Sequence, residues 1–141
     1  MKKRLALLPV FLFAACAAFA AEKEWTVMAY LNGNSDIEKY CLEKVNYLEQ
    51  AGSTDKVNFV VELARMRGQR EDDISDGDWT GARRYLLARD GDMGHIASAA
   101  LQSFGNTDMA DWRHLADFIS WAKQNYPAKH YVLIVFGHAT A

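Results

Sequence analysis

The sequence predicts an α/β fold: a three-layer sandwich with helices packed on a mainly parallel sheet. Three apolar segments, residues 25–31, 57–64 and 130–136, are separated by stretches with helical periodicity. The last holds an unbroken apolar run from Tyr131 to Phe136. Such a run reads as a strand buried on both faces of a parallel sheet.

The first twenty residues stand apart from this domain. Met1, Lys2, Lys3 and Arg4 form a positive start, and residues 5–17 are apolar. Ala18 and Ala20 then place small residues where a signal peptidase reads, which predicts cleavage before Ala21. Phe13-Ala14-Ala15-Cys16 also resembles a lipobox, in which Cys16 would carry a lipid and attach the protein to a membrane. Both routes remain open, and both mean export, to the periplasm, the cell surface or the medium. The apolar stretch is shorter than the ~20 residues that a membrane-spanning helix requires.

Residues 21–141 are enough for one small domain. The leader holds three of the 16 Lys and Arg and none of the 18 Asp and Glu, so the mature balance is 13 against 18, or −5. A mildly acidic domain without a basic stripe is not built for nucleic acid. Beyond Cys16 the sequence has only Cys41, so no internal disulfide staples the mature domain.

The elements follow in order. Residues 25–31 form the first strand, and Asn32-Gly33-Asn34 break it with turn chemistry. Ser35 and Glu38 have capping-box spacing. Ile37, Tyr40, Cys41, Val45 and Leu48 then mark one helical face, and Gly52 ends it. Residues 57–64 are the second strand and complete a βαβ unit.

The middle is less regular. Residues 65–70 read as a basic turn and 71–78 as an acidic loop. Residues 83–88 suit a short strand, paired with Trp79-Thr80 in a hairpin, while residues 96–104 fit helix or irregular chain. A second helix follows, marked by Leu115, Phe118, Ile119, Ala122 and Tyr126, capped by Asp108 or Asp111 and stopped by Pro127.

His138 is the candidate functional residue. It follows the carboxyl end of the final strand, where open α/β sheets collect their ligand and catalytic groups. An imidazole there is suited to general acid–base work near neutral pH. His95, His114 and His130 read as structural or solvated, and their spacing matches no zinc pattern, so no metal ligands are assigned. Asp72 to Gly77 does not make an EF-hand, because Ile74 takes a ligand position and Arg83 falls where a bidentate Glu is needed. No Walker or dinucleotide glycine motif occurs, which leaves a flavodoxin-like ligand binder without support. Cys41 lies on the apolar helix face and reads as a small core residue. Trp112 and Trp121 read as packing residues, with Trp79 as a potential pocket wall.

Several blocks, taken together and in order, resemble the clostripain-like cysteine peptidases of the caspase-hemoglobinase fold. They are residues 24–33, 52–61, 76–79 with 83–85, and 125–128 followed by 131–134. The resemblance implies a caspase-like domain of which this chain is the N-terminal part. It makes His138 half of a Cys–His dyad whose cysteine is missing from this chain and belongs to a C-terminal segment or second chain. Ala139 takes the place of the glycine whose backbone N–H helps bind the oxyanion in that family. The implied activity is endopeptidase cleavage of peptide or protein substrates, after basic residues. Calcium is implied by the resemblance alone, and no other cofactor is expected. These 141 residues by themselves are expected to be inactive, with residues 130–136 near an unfinished sheet edge. The alternative is a non-catalytic exported α/β binding module or an inactive truncated relative.

Overall fold

The computed structural model describes residues 22–68 and 73–138. Its regular elements are β1 (Lys23–Gly33), α1 (Glu38–Ala51), β2 (Val57–Arg65), β3 (Gly81–Leu86), β4 (Ala100–Phe104), α2 (Trp112–Asn125) and β5 (Ala128–Phe136). The strands form one sheet in the order β4-β3-β2-β1-β5. β1 runs parallel to β2 and to β5, whereas β3 lies antiparallel to both β2 and β4. The α/β expectation holds: parallel pairing gathers on one side of the sheet and antiparallel pairing on the other.

Strand alternation sends successive side chains to opposite faces. Ala29, Leu31, Val61 and Leu63 pack beneath Cys41, Leu42 and Val45 of α1. Met28, Tyr30 and Val60 face Phe118 and Ala122 of α2. The result is the expected helix–sheet–helix layering. Asp111 caps α2 as predicted, its side chain accepting from Arg113 N–H.

Five expectations change. First, Ser35 and Glu38 do not form a capping box. α1 begins at Glu38 without a side-chain cap, and Ser35 Oγ is buried with no hydrogen-bond partner. Glu38 turns instead to Arg65, whose Nε donates to Glu38 Oε1 at 2.5 Å. Secondly, Arg65 is therefore no surface turn residue but the buried last residue of β2. Thirdly, Tyr40 is 48% exposed, and Leu42 is buried in its stead.

Fourthly, Trp79 and Thr80 pair with no strand. Trp79 is buried between the guanidinium groups of Arg65 and Arg83, at 5.1 and 4.2 Å from its ring centre. Besides β2, β3 pairs with β4, formed from the stretch that fits helix or irregular chain by sequence. Fifthly, β5 lies at the sheet edge and is not buried on both faces. Val132, Leu133, Ile134 and Val135 are between 37% and 60% exposed. Among the described residues nothing pairs with its outer edge, so β5 is an edge strand and not the core strand expected.

A second charged pair lies in the opposite layer. Glu62, central in β2, accepts from Arg84 Nε at 2.6 Å. Arg84 also donates to Gln102 at 3.1 Å and to Asp117 at 2.7 Å, and it packs against Phe104 and Trp121. Each of the three guanidinium nitrogens has an acceptor, which is what makes its burial tolerable.

Candidate functional site

Two glycines bring the carboxyl ends of β1, β2 and β5 together. A Cβ at Gly33 would stand 2.5 Å from Ala64 O and 3.4 Å from Glu38 Cα, so only glycine lets α1 turn back so tightly. A Cβ at Gly137 would meet Asn32 Cβ at 3.2 Å, so the exit from β5 runs directly against the end of β1. The turn between β1 and α1 is braced on both sides. Asn34 N–H donates to Asn32 Oδ1 at 3.2 Å, and Asn34 Nδ2 donates to the carbonyl of Thr107 at 3.2 Å.

This folding places Asp36, from that turn, beside His138, two residues beyond β5. His138 Nε2 lies 2.6 Å from Asp36 Oδ1, and both side chains are more than half exposed. With the carboxylate ionised, the ring N–H is the donor. A pair this exposed adds little to stability, being screened by water. Its effect is geometric: it orients the ring at the end of β5.

The imidazole opens onto a cleft of about 320 Å³, lined among others by Tyr30, Asn32, Met109, Val135 and Gly137. Its wall is mixed, with apolar strand side chains below and amide and imidazole groups at the rim. Tyr30 donates its hydroxyl proton to the carbonyl of Met109 at 3.2 Å. Burial, reinforced by the nearby Glu62 carboxylate, pushes the Tyr30 phenol well above its ordinary value. It is a protonated wall and not a base. A second, apolar hollow of about 220 Å³ lies between α1 and β5, against Tyr47, Leu48, Ile134 and Phe136.

The other sequence-predicted residues lie elsewhere. Cys41 is fully buried on the sheet-facing side of α1, and burial pushes its thiol up to about 12, so it is core material and not a nucleophile. His95 is exposed and faces Asp92, and His130 rests against Trp25 with ring centres 4.7 Å apart. Of the two readings open for His114, structural or solvated, the structural one holds: it is 17% exposed and bonds through Nε2 to Glu62 Oε1. Trp112, expected to pack, is 67% exposed, whereas Trp121 stacks near Phe118. Cys16 and Ala139, the lipidation and oxyanion candidates, lie outside the described residues.

No group of three His, Cys, Asp or Glu that would hold a metal occurs among the described residues. In the acidic loop, Asp73 Oδ1 accepts from Ser75 N–H and Asp76 Oδ1 from Ile96 N–H. Among the described residues of that loop, these two carboxylate oxygens are engaged by backbone N–H groups. Among the described residues no helix is long and apolar enough to cross a membrane.

Asp36 was not singled out by sequence reasoning. An aspartate in an Asn- and Ser-rich turn looks like turn chemistry, and its imidazole partner lies 102 residues away. Met109 and Tyr30 were missed as cleft walls for the same reason: they meet only through the sheet's topology.

No protein-family model matches the sequence, and no curated protein matches it. Solved structures do. The chain superimposes on a cysteine protease of B. fragilis with a TM-score of 0.58 at 17% identity, covering 83% of this chain and 90% of that one. It matches a secreted C11 cysteine protease from Bacteroides thetaiotaomicron with a TM-score of 0.58 at 14% identity, covering 86% of this chain but only 31% of that one. A clostripain from the same species, solved with a peptide inhibitor, gives a TM-score of 0.58 at 14% identity over 85% of this chain and 94% of that one. At these identities the likeness establishes the fold: an α/β domain of the type found in clostripain-like cysteine proteases.

Proposed function

We propose that this chain is the N-terminal, histidine-bearing portion of an exported clostripain-like cysteine endopeptidase, cleaving peptides after basic residues. The observation that carries the reading is the position of His138. It is an accessible imidazole beyond the carboxyl end of β5, on the lip of a cleft, in a fold shared with cysteine proteases. The secreted relative and the leader pattern of residues 1–20 support export.

In the proposed reaction a thiolate attacks the substrate carbonyl carbon, forming a C–S bond and a tetrahedral oxyanion. The protonated imidazole of His138 gives its proton to the amine as the C–N bond breaks. The neutral ring then takes a proton from water as its oxygen attacks the thioester carbon, and breaking the C–S bond returns the thiolate beside a protonated ring. The backbone N–H of Ala139 is the proposed oxyanion donor. Cys41 is buried and keeps its proton, so the thiol comes from polypeptide beyond Ala141 or from a separate chain.

Translating the DNA past Ala141 tests the reading. An apolar strand ending in cysteine supports it; an authentic stop codon with no separately encoded thiol-bearing partner contradicts it.

A further inference from the structure

We infer that Asp36 is the positioning residue for His138: its carboxylate holds the ring proton on Nε2 and leaves Nδ1 as the nitrogen that exchanges protons during the reaction. This rests on the peptidase reading for its purpose, but not for its geometry.

The 2.6 Å separation of Nε2 from Asp36 Oδ1 is short even beside charge-assisted N–H···O bonds, which run to about 2.7–2.9 Å. A neutral imidazole has one donor and one acceptor nitrogen, and an ionised carboxylate only accepts. The proton must therefore sit on Nε2, and the lone pair on Nδ1. A carboxylate is also well placed in this turn, since Asp36 lies just before the first turn of α1, where the partial positive charge of the helix favours an anion.

The placement is built and not incidental. Gly33 allows the reversal into α1, Asn32 and Asn34 brace the turn, and Gly137 lets the end of β5 close on Asn32. Each of these holds the backbone on one side of the Asp36–His138 pair. A positioning group of this kind keeps a single tautomer in readiness, so that no ring flip or proton shuffle precedes catalysis.

Nitrogen-15 NMR of histidine-labelled full chain reads the tautomer directly, at a pH where the ring is neutral. In the native chain His138 should show Nε2 as the protonated nitrogen and Nδ1 as the bare one. Asp36→Ala should relax the ring to the tautomer mixture of free imidazole, with amide signals away from the turn unmoved. Asp36→Glu, which keeps a carboxylate at an exposed site, should restore most of the native signature. A His138 ring indistinguishable between the native chain and Asp36→Ala would overturn the assignment, as would a native ring protonated on Nδ1. None of these outcomes depends on peptidase activity, so failure here and failure of the peptidase reading are separate results.

Discussion

Arg84 donates through Nε to Glu62 Oε2 at 2.6 Å, an ion pair buried between the sheet and α2. Glu62 also engages His114, and Arg84 extends to Asp117 at the surface. The network ties β2, β3 and α2 together beneath the cleft wall at Tyr30.

Removing one partner leaves the other charge buried and alone. Arg84→Leu should destabilise the domain by about 3–5 kcal/mol. The double substitution Arg84→Leu with Glu62→Leu should recover a large part of that loss. Urea unfolding of the single and double variants measures both, and additive losses would argue against a coupled pair.

Gly33 carries a comparable sensitivity by steric means. Gly33→Ala forces a Cβ to within 2.5 Å of Ala64 O, which is backbone and does not yield cheaply. The helix must shift, at a loss of roughly 1–3 kcal/mol. Thermal unfolding should show the loss, with the amides of Asp36 and Glu38 moving most in the NMR spectrum.

Cys41 should be chemically silent while the domain is folded. Its thiol, pushed up to about 12 by burial, should resist a thiol-specific reagent at pH 8 in the chain beginning at Ala21, and react at once in denaturant. The sign of its pH effect follows. The folded thiol keeps its proton to a higher pH than the unfolded thiol, whose pKa is about 8.5. The stability tied to that proton is complete below about pH 8.5 and is lost as pH rises towards 12. Cys41→Ala should therefore show a shallower alkaline decline in urea midpoint than the native chain.

The exposed edge of β5 should drive association. Val135, 60% exposed, is on an apolar strand whose outer edge meets no partner among the described residues. Val135→Lys should lower concentration-dependent light scattering while shifting the unfolding midpoint little. Unchanged scattering would place the sticky surface elsewhere.

Much of this architecture was legible because it is local. The three apolar segments, the helical face through Cys41 and Val45, and Pro127 as a stop each announce themselves within a dozen residues. What was hidden depends on distance along the chain. Arg65 reads as the start of a basic turn until Glu38 is found opposite it, and Ser35 reads as a cap until Glu38 proves to be taken. The apolar run of β5 signals burial on both faces, but strand order decides whether a neighbour exists, and composition does not encode order. At the site, His138 was visible from its place after a strand. Asp36 was not, because nothing in a polar turn marks one carboxylate as the partner of a ring 102 residues later.

His138 is the proposed proton-transfer group in peptide cleavage. Its most direct test is the rate of hydrolysis of basic-residue peptide substrates by the protein assembled with its downstream polypeptide, native against His138→Ala. The folded variant should lose roughly 10²–10⁴-fold in kcat. Undiminished cleavage by His138→Ala would contradict it.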